Sequence, residues 1–349
     1  MLAMGDELPG SGRIEQLDGV RALAISAVFL NHAFNVKLLW MGVDLFFILS
    51  GLLITGVLLD LRQGGMREYF RRFYARRARR ILPPYVLFLA VFSLVFGLAW
   101  ARYWYLYLFL MNFVTALQLP RPFALGPLWS LAVEEQFYLV WPFAVYLLGE
   151  VSLGWLAGGL VVTAPLLRWF CTPLLVEHFP QLRHWPIYVL TPFRMDLLAA
   201  GALICLAWRH QRERVLRYGH LGLGLTAAAG VALVALSRQA DFSTIANKPF
   251  ANVWIYELGL LGGTGLILWA LSGRGVGVLK LRPVVYLGRI SYSVYLIHLL
   301  ALVVVGEYVR GRVAGGLVAL TITLLYASAS WILLERPLLR QGVGGGKSE

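Results

Sequence analysis

Ten times along the chain an apolar run long enough to cross a bilayer alternates with a short polar break. The runs lie near 19–36, 41–60, 82–101, 126–148, 152–170, 190–208, 218–236, 251–271, 284–305 and 314–334. About twenty consecutive apolar residues in a helix match the hydrocarbon thickness of a membrane, and backbone polar groups there must be satisfied within the segment. The pattern predicts an all-α, polytopic transmembrane helix bundle of about ten helices. Composition agrees, because 59% of the 349 residues are hydrophobic and only 14% are charged, too few charges to clothe a soluble protein of this length. An eleventh run, YWYLYLFLMNFVTAL at 103–117, is short and aromatic and is expected not to cross.

The charge distribution orients the bundle. Net charge is +13, a value that in a soluble chain would point to nucleic acid. Here the basic residues cluster: two at Arg13 and Arg21, eight in 62–80, four in 209–217, four in 274–289 and three after 335. With ten crossings and both termini cytoplasmic, 21 of the 31 Lys and Arg fall inside. That asymmetry is the positive-inside pattern and leaves no nucleic-acid face. The expected organisation is a cytoplasmic tail over 1–18, a membrane domain over 19–335 and a flexible cytoplasmic tail over 336–349. Cys171 and Cys205 fall in different runs, so no disulfide is expected. No Walker A loop, dinucleotide fingerprint or pair of histidines at metal-ligand spacing is present, so no metal is expected.

Charged groups inside the runs are the informative exceptions, because ionisable residues in a membrane need a partner or a task. The first run, QLDGVRALAISAVFLNHAFN, holds Asp18, Arg21 and His32. At 100° per residue Arg21 and His32 differ by about 20°, so they share a face, with His32 about 16 Å deeper. Asp18 either caps and anchors the helix or takes part in chemistry. His32 is read as a proton acceptor, against the plainer reading of an interhelical hydrogen bond. If the short turn at 36–40 makes a tight hairpin, Asp44 stands level with His32 and is positioned to steady its cation; alternatively it only caps the second helix.

The stretch MREYFRRFYARRARRILPPY at 66–85 carries seven arginines, with Pro83 and Pro84 suited to the first turn of the third span. It reads as a basic band on anionic lipid and, through arginines one turn apart, as a phosphate site. Glu134 and Glu135 lie inside the fourth run near Tyr138, and at least one must face a polar interior. Arg194 with Asp196, Tyr295 with His298, and Glu335 are further buried polar groups for which interhelical hydrogen bonding competes with chemistry.

Taken in order, LDGVRALAISAVFLNH, GVDLFFILSGLLIT, RRARRILPPY, WSLAVEEQFYLVWP, FRMDLLAAGAL, SYSVYLIH and ERP resemble the acyltransferase-3 family of integral membrane O-acyltransferases, over about residues 13–337. That resemblance implies an enzyme of the bacterial cytoplasmic membrane. It would use acyl-CoA, often acetyl-CoA, as co-substrate and a hydroxyl acceptor on a surface carbohydrate or its lipid-linked precursor. A small molecule such as a macrolide is the other acceptor class. It places the family's Arg-x10-His pattern on Arg21 and His32, and its Arg-x-x-Arg pair on Arg77 and Arg80 or on Arg76 and Arg79. The candidate catalytic set is then His32, Asp44 and Glu134. Acyl-CoA contacts fall on Arg21, Arg76, Arg77, Arg79 and Arg80, and acceptor contacts on Tyr138, Arg194, Asp196, Tyr295 and His298. Some members carry a fused extracytoplasmic domain. This chain stops after ERPLLRQ, so such an activity is expected on a separate protein. The rival reading is a transporter or lipid-flipping protein using the buried charges as an ion path.

Overall fold

A computed structural model describes residues 14–97, 100–239 and 241–341, and among these every regular element is helical. The helices are α1 (Glu15–Phe34), α2 (Gly42–Leu61), α3 (Met66–Phe96), α4 (Met111–Ala116), α5 (Leu128–Leu147), α6 (Glu150–His178), α7 (Trp185–Val189), α8 (Met195–His210), α9 (Arg212–Tyr218), α10 (Gly222–Leu236), α11 (Pro249–Ser272), α12 (Arg282–Tyr308), α13 (Arg312–Ser330) and α14 (Arg336–Gln341). Each of the ten apolar runs coincides with one long helix. The 103–117 run breaks into a 3₁₀ segment and the six-residue α4.

Seven segments among the described residues are long and apolar enough to cross a membrane. They make the chain a multi-pass integral membrane protein. The other three that occupy apolar runs are α1, α5 and α8. The first opens with Glu15 and Asp18 and closes with His32, α5 holds Glu134 and Glu135, and α8 is only 16 residues long with Asp196 in its first turn. Helices α1 and α5 fall short because they carry several ionisable groups, and α8 because it is short. The apolar windows of α2 and α12 are 78% and 67% buried, against 17% for α6 and 22% for α13. So α2 and α12 form the centre, and α6 and α13 turn their apolar faces to lipid.

Between helices in a membrane there is little hydrophobic drive, so close approach depends on small side chains. The tightest contact is α2 on α8. A Cβ on Gly51 would sit 1.8 Å from the Leu198 carbonyl oxygen, and one on Gly201 would sit 2.0 Å from that of Ile48. The α1–α12 contact is of the same kind, with Gly288 against the Asp18 backbone.

Proline placement departs from expectation. Pro83 and Pro84 lie inside α3, which runs unbroken from Met66 and joins the basic stretch to the span as one 31-residue helix. Tyr292 donates to the nearby Ile81 carbonyl at 3.2 Å. In α5, Pro142 removes the donor that the Tyr138 carbonyl would normally receive. Tyr74 of α3 replaces it, donating to Tyr138 O at 3.3 Å. Tyr69 donates to Pro142 O at 2.9 Å, so α3 and α5 are joined by hydrogen bonds where α5 is weakest.

Helix α1 begins at Glu15, which puts Asp18 in a buried turn, and Arg336–Gln341 continues the last span as α14. The remaining tail residues, 1–13 and 342–349, lie outside the described residues, and Arg13 with them. Glu335 closes the last span in a π-helical turn and accepts from Ser293 at 2.7 Å and Ser330 at 2.9 Å, which is the interhelical reading. Cys171 and Cys205 are both free thiols.

Candidate active site

Among the described residues, two of the cavities share Tyr295 of α12 in their walls. One is a narrow slot of about 100 Å³ lined by Arg21, Ser50, Arg77, Arg80, Glu134 and Tyr138, with Ser130, Ser291 and Tyr292. The other is a chamber of about 350 Å³ lined by Asn31, His32, Thr115 and Arg121 and walled by Trp40, Trp129, Trp185 and Tyr188. Tyr295 stands between them with its hydroxyl 2.6 Å from Ser130 Oγ and donating to Pro127 O at 2.9 Å.

The slot takes in one of the two arginine pairs that share the expected spacing. Arg77 and Arg80 reach it, whereas Arg76 and Arg79 are not among its lining residues and Arg79 is exposed. The Arg77 guanidinium lies 4.7 Å from the Tyr138 ring centre, a cation–π contact that aims it into the slot. Arg21 arrives from α1 and pairs with Asp18 at 3.3 Å. Glu134 accepts from Ser50 at 2.8 Å and from Tyr138 at 3.3 Å. It therefore belongs to the arginine slot and not to the histidine chamber, as does Tyr138. A set of permanent cations with one carboxylate at a slot mouth suits a polyanion.

His32 is exposed on the chamber wall. Its Nδ1 is 3.0 Å from Val28 O and 3.2 Å from His298 Nε2, with ring centres 5.0 Å apart. The expected partner, Asp44, is elsewhere. Residues Lys37–Met41 form a 3₁₀ segment instead of a tight turn, and α2 starts against the middle of α1, where a Cβ on Gly42 would meet Ala24 O at 2.4 Å. The hairpin is thus out of step with the depth pairing assumed from the sequence, and Asp44 pairs with Arg194.

Arg194 and Asp196, expected at the acceptor, line neither cavity. Both are fully buried in an ion network across four helices. Arg168 of α6 donates to Asp196 at 2.6 Å and to Glu257 of α11 at 2.5 Å, while Arg194 holds Asp44 of α2 and lies 4.5 Å from the Tyr256 ring centre. Each of these buried charges has a counter-charge on another helix, which offsets part of the cost of holding it in the interior. His298 is also behind the chamber, fully buried and touching His32. Of the expected acceptor contacts, only Tyr295 lines the chamber.

Sequence reasoning missed Arg168 and Glu257. Their signal was present, since each is an isolated charge in an apolar run. The aromatic wall left a weaker trace, because Trp and Tyr are common in membrane helices for other reasons.

The protein is thus a membrane-embedded helix bundle with an arginine-lined slot and a histidine-lined chamber that share Tyr295. The chain belongs to the acyltransferase family, whose model, described as an acyltransferase domain, matches residues 14–335. It is similar to O-acetyltransferase OatA of Staphylococcus aureus (strain NCTC 8325 / PS 47), 26% identical over 362 residues, covering 93% of this chain and 57% of the relative. It is similar also to the putative peptidoglycan O-acetyltransferase YrhL of Bacillus subtilis (strain 168), 29% identical over 94% of this chain and 55% of the relative. A third relative is the peptidoglycan O-acetyltransferase OatA of Listeria monocytogenes, 27% identical over 94% of this chain and 56% of the relative. The chain spans about half the length of these relatives. No solved structure matches it.

Proposed function

We propose that the protein transfers an acyl group, acetyl by default, from acyl-CoA at the arginine slot to a hydroxyl of a cell-surface glycan in the histidine chamber. The observation that carries this reading is the back-to-back arrangement of two chemically different cavities meeting at Tyr295. The slot, about 100 Å³, is narrow enough to suit a thin arm. The pantetheine arm would thread it, with the phosphates held at its mouth by Arg77, Arg80 and Arg21. His32 lies about 16 Å further along α1 than Arg21, comparable to the reach of that arm. His32 then removes the proton of the acceptor hydroxyl as its oxygen attacks the thioester carbonyl, and returns the proton to the departing sulfur. Flat aromatic faces at Trp40, Trp129, Trp185 and Tyr188 suit the C–H faces of a sugar ring. The names of the relatives point the same way, toward peptidoglycan as the glycan.

The donor half is tested by replacing Arg77 and Arg80. A charge-assisted hydrogen bond contributes about 1.5–3 kcal/mol, so each lost phosphate contact is expected to raise the KM for acetyl-CoA roughly tenfold or more. Insertion and turnover at saturating donor should be far less affected. An unchanged donor KM in the double variant would reduce this cluster to a lipid anchor. Acyl transfer by the purified protein also separates this reading from that of a transporter.

The same reading takes the arginine end as cytoplasmic, with ten crossings and both termini inside. It places Arg214, exposed in α9, on the inner side. In a background with Cys171 and Cys205 changed to serine, Arg214→Cys should resist an impermeant thiol reagent applied to intact bacteria and react after permeabilisation. Labelling before permeabilisation would invert or break this topology.

A further inference from the structure

The chamber histidine is held by a second histidine, and the hydrogen-bond directions between them are fixed by what each atom is able to do. His298 Nδ1 lies 2.6 Å from the Tyr295 carbonyl oxygen. A carbonyl only accepts, so Nδ1 carries the proton and, in the neutral ring, Nε2 is left with a lone pair. That Nε2 is 3.2 Å from His32 Nδ1. Two bare nitrogens would repel, so His32 Nδ1 must carry its own proton and donate it. The 3.0 Å approach of the same Nδ1 to Val28 O requires the same assignment. Val28 O already accepts the backbone N–H of His32 in the α1 ladder, so it is a shared acceptor, whereas His298 Nε2 is fully available.

We infer that His298 is a positioning residue: it fixes His32 in the Nδ1–H tautomer, so that the Nε2 lone pair is the one presented to the acceptor hydroxyl. This rests on His32 acting as the base. The chain of constraint is short. Tyr295, which lines both cavities, also supplies the backbone oxygen that sets His298. When His32 takes a proton on Nε2, its Nδ1–H keeps its acceptor, and the ring is not free to turn away. A neutral partner replaces the carboxylate that the sequence led one to expect at this place, so orientation and tautomer are its contribution, with less stabilisation of the cation than an aspartate would give.

The test uses the full-length protein, labelled with ¹⁵N-histidine, in detergent. His32→Gln identifies the His32 nitrogen signals by their loss. In the unaltered protein His32 should show one protonated and one bare nitrogen, with Nδ1 the protonated one. His298→Ala should let the Nε2–H tautomer grow in, and transfer turnover should fall at least tenfold while the KM for acetyl-CoA stays within about twofold. His298→Gln keeps an acceptor oxygen within reach of His32, so it should restore the tautomer and most of the turnover, which repair of a mere packing defect would not do selectively. The inference is overturned if His32 stays in the Nδ1–H form in His298→Ala, or if the Gln and Ala variants are alike in tautomer and turnover. Retained turnover in His32→Ala is a separate result, which removes the base assignment while leaving the tautomer measurement to stand on its own.

Discussion

His32→Ala should abolish acyl transfer while leaving acetyl-CoA binding nearly intact. His32 is exposed on the wall of the histidine chamber, and Arg21, Arg77 and Arg80 line the other cavity, across Tyr295. A positioned general base contributes about 10²–10⁴-fold in rate, and that loss should fall on turnover. In the proposed reading, donor is held through phosphate contacts that the substitution does not touch. The two quantities are measured separately, by calorimetric titration with acetyl-CoA and by transfer of a radiolabelled acetyl group to a soluble glycan. Turnover within a few-fold of the unaltered protein would mean that the hydroxyl is activated elsewhere. Loss of donor binding together with turnover would mean that the two cavities are not independent. Because Tyr295 stands between the cavities, slow hydrolysis of acetyl-CoA by water from the chamber should fall with His32→Ala as well.

The positions of the helices were legible because membrane solvation writes them in plain composition. The ten runs became ten helices whose limits moved by up to about fifteen residues, and the aromatic 103–117 run failed to make a long helix as expected. What periodicity does not carry is which helices are neighbours. That His298 meets His32 depends on α12 packing closely on α1, and that closeness comes from Gly288 lying against the Asp18 backbone, a contact between residues far apart in sequence. Which arginines line the slot was undecidable from sequence for a related reason. Residues 76, 77, 79 and 80 give two pairs at the same spacing, and only the position of Tyr138 across from α3 selects Arg77. Asp44 was misplaced because a five-residue connection was assumed to be a simple turn. A 3₁₀ segment that folds back along α1 changes the depth of everything after it. Arg168 was the avoidable omission, since a single arginine amid LVVTAPLL and WFCTPLL has no inexpensive place in a membrane without an acid on another helix.

That misplacement has a measurable consequence, because it changes what Asp44 is for. An aspartate paired with His32 would act with it as one catalytic unit, so removing both would cost no more than removing the histidine. In the structure Asp44 is 1% exposed and pairs with the fully buried Arg194, whose other neighbours are aromatic rings, Tyr256 at 4.5 Å and Phe47 at 5.7 Å. Asp44→Ala should leave a guanidinium without its counter-charge in the interior, a loss of about 3–5 kcal/mol in buried pairs. The expected result is a sharp fall in the yield and melting temperature of folded protein. The fraction that does fold should keep a near-normal donor KM. Removing the charge at both ends, Asp44→Leu with Arg194→Met, should recover much of the lost stability, since an apolar pair of similar volume is often as stable as the ion pair it replaces. Combining Asp44→Ala with His32→Ala should then add a stability loss to a turnover loss, with neither masking the other. If instead Asp44→Ala folded normally, lost turnover as fully as His32→Ala, and made the double variant no worse, the carboxylate would be serving the histidine despite its position. Arg194 would then be a bystander, and the partner role inferred for His298 would pass to Asp44.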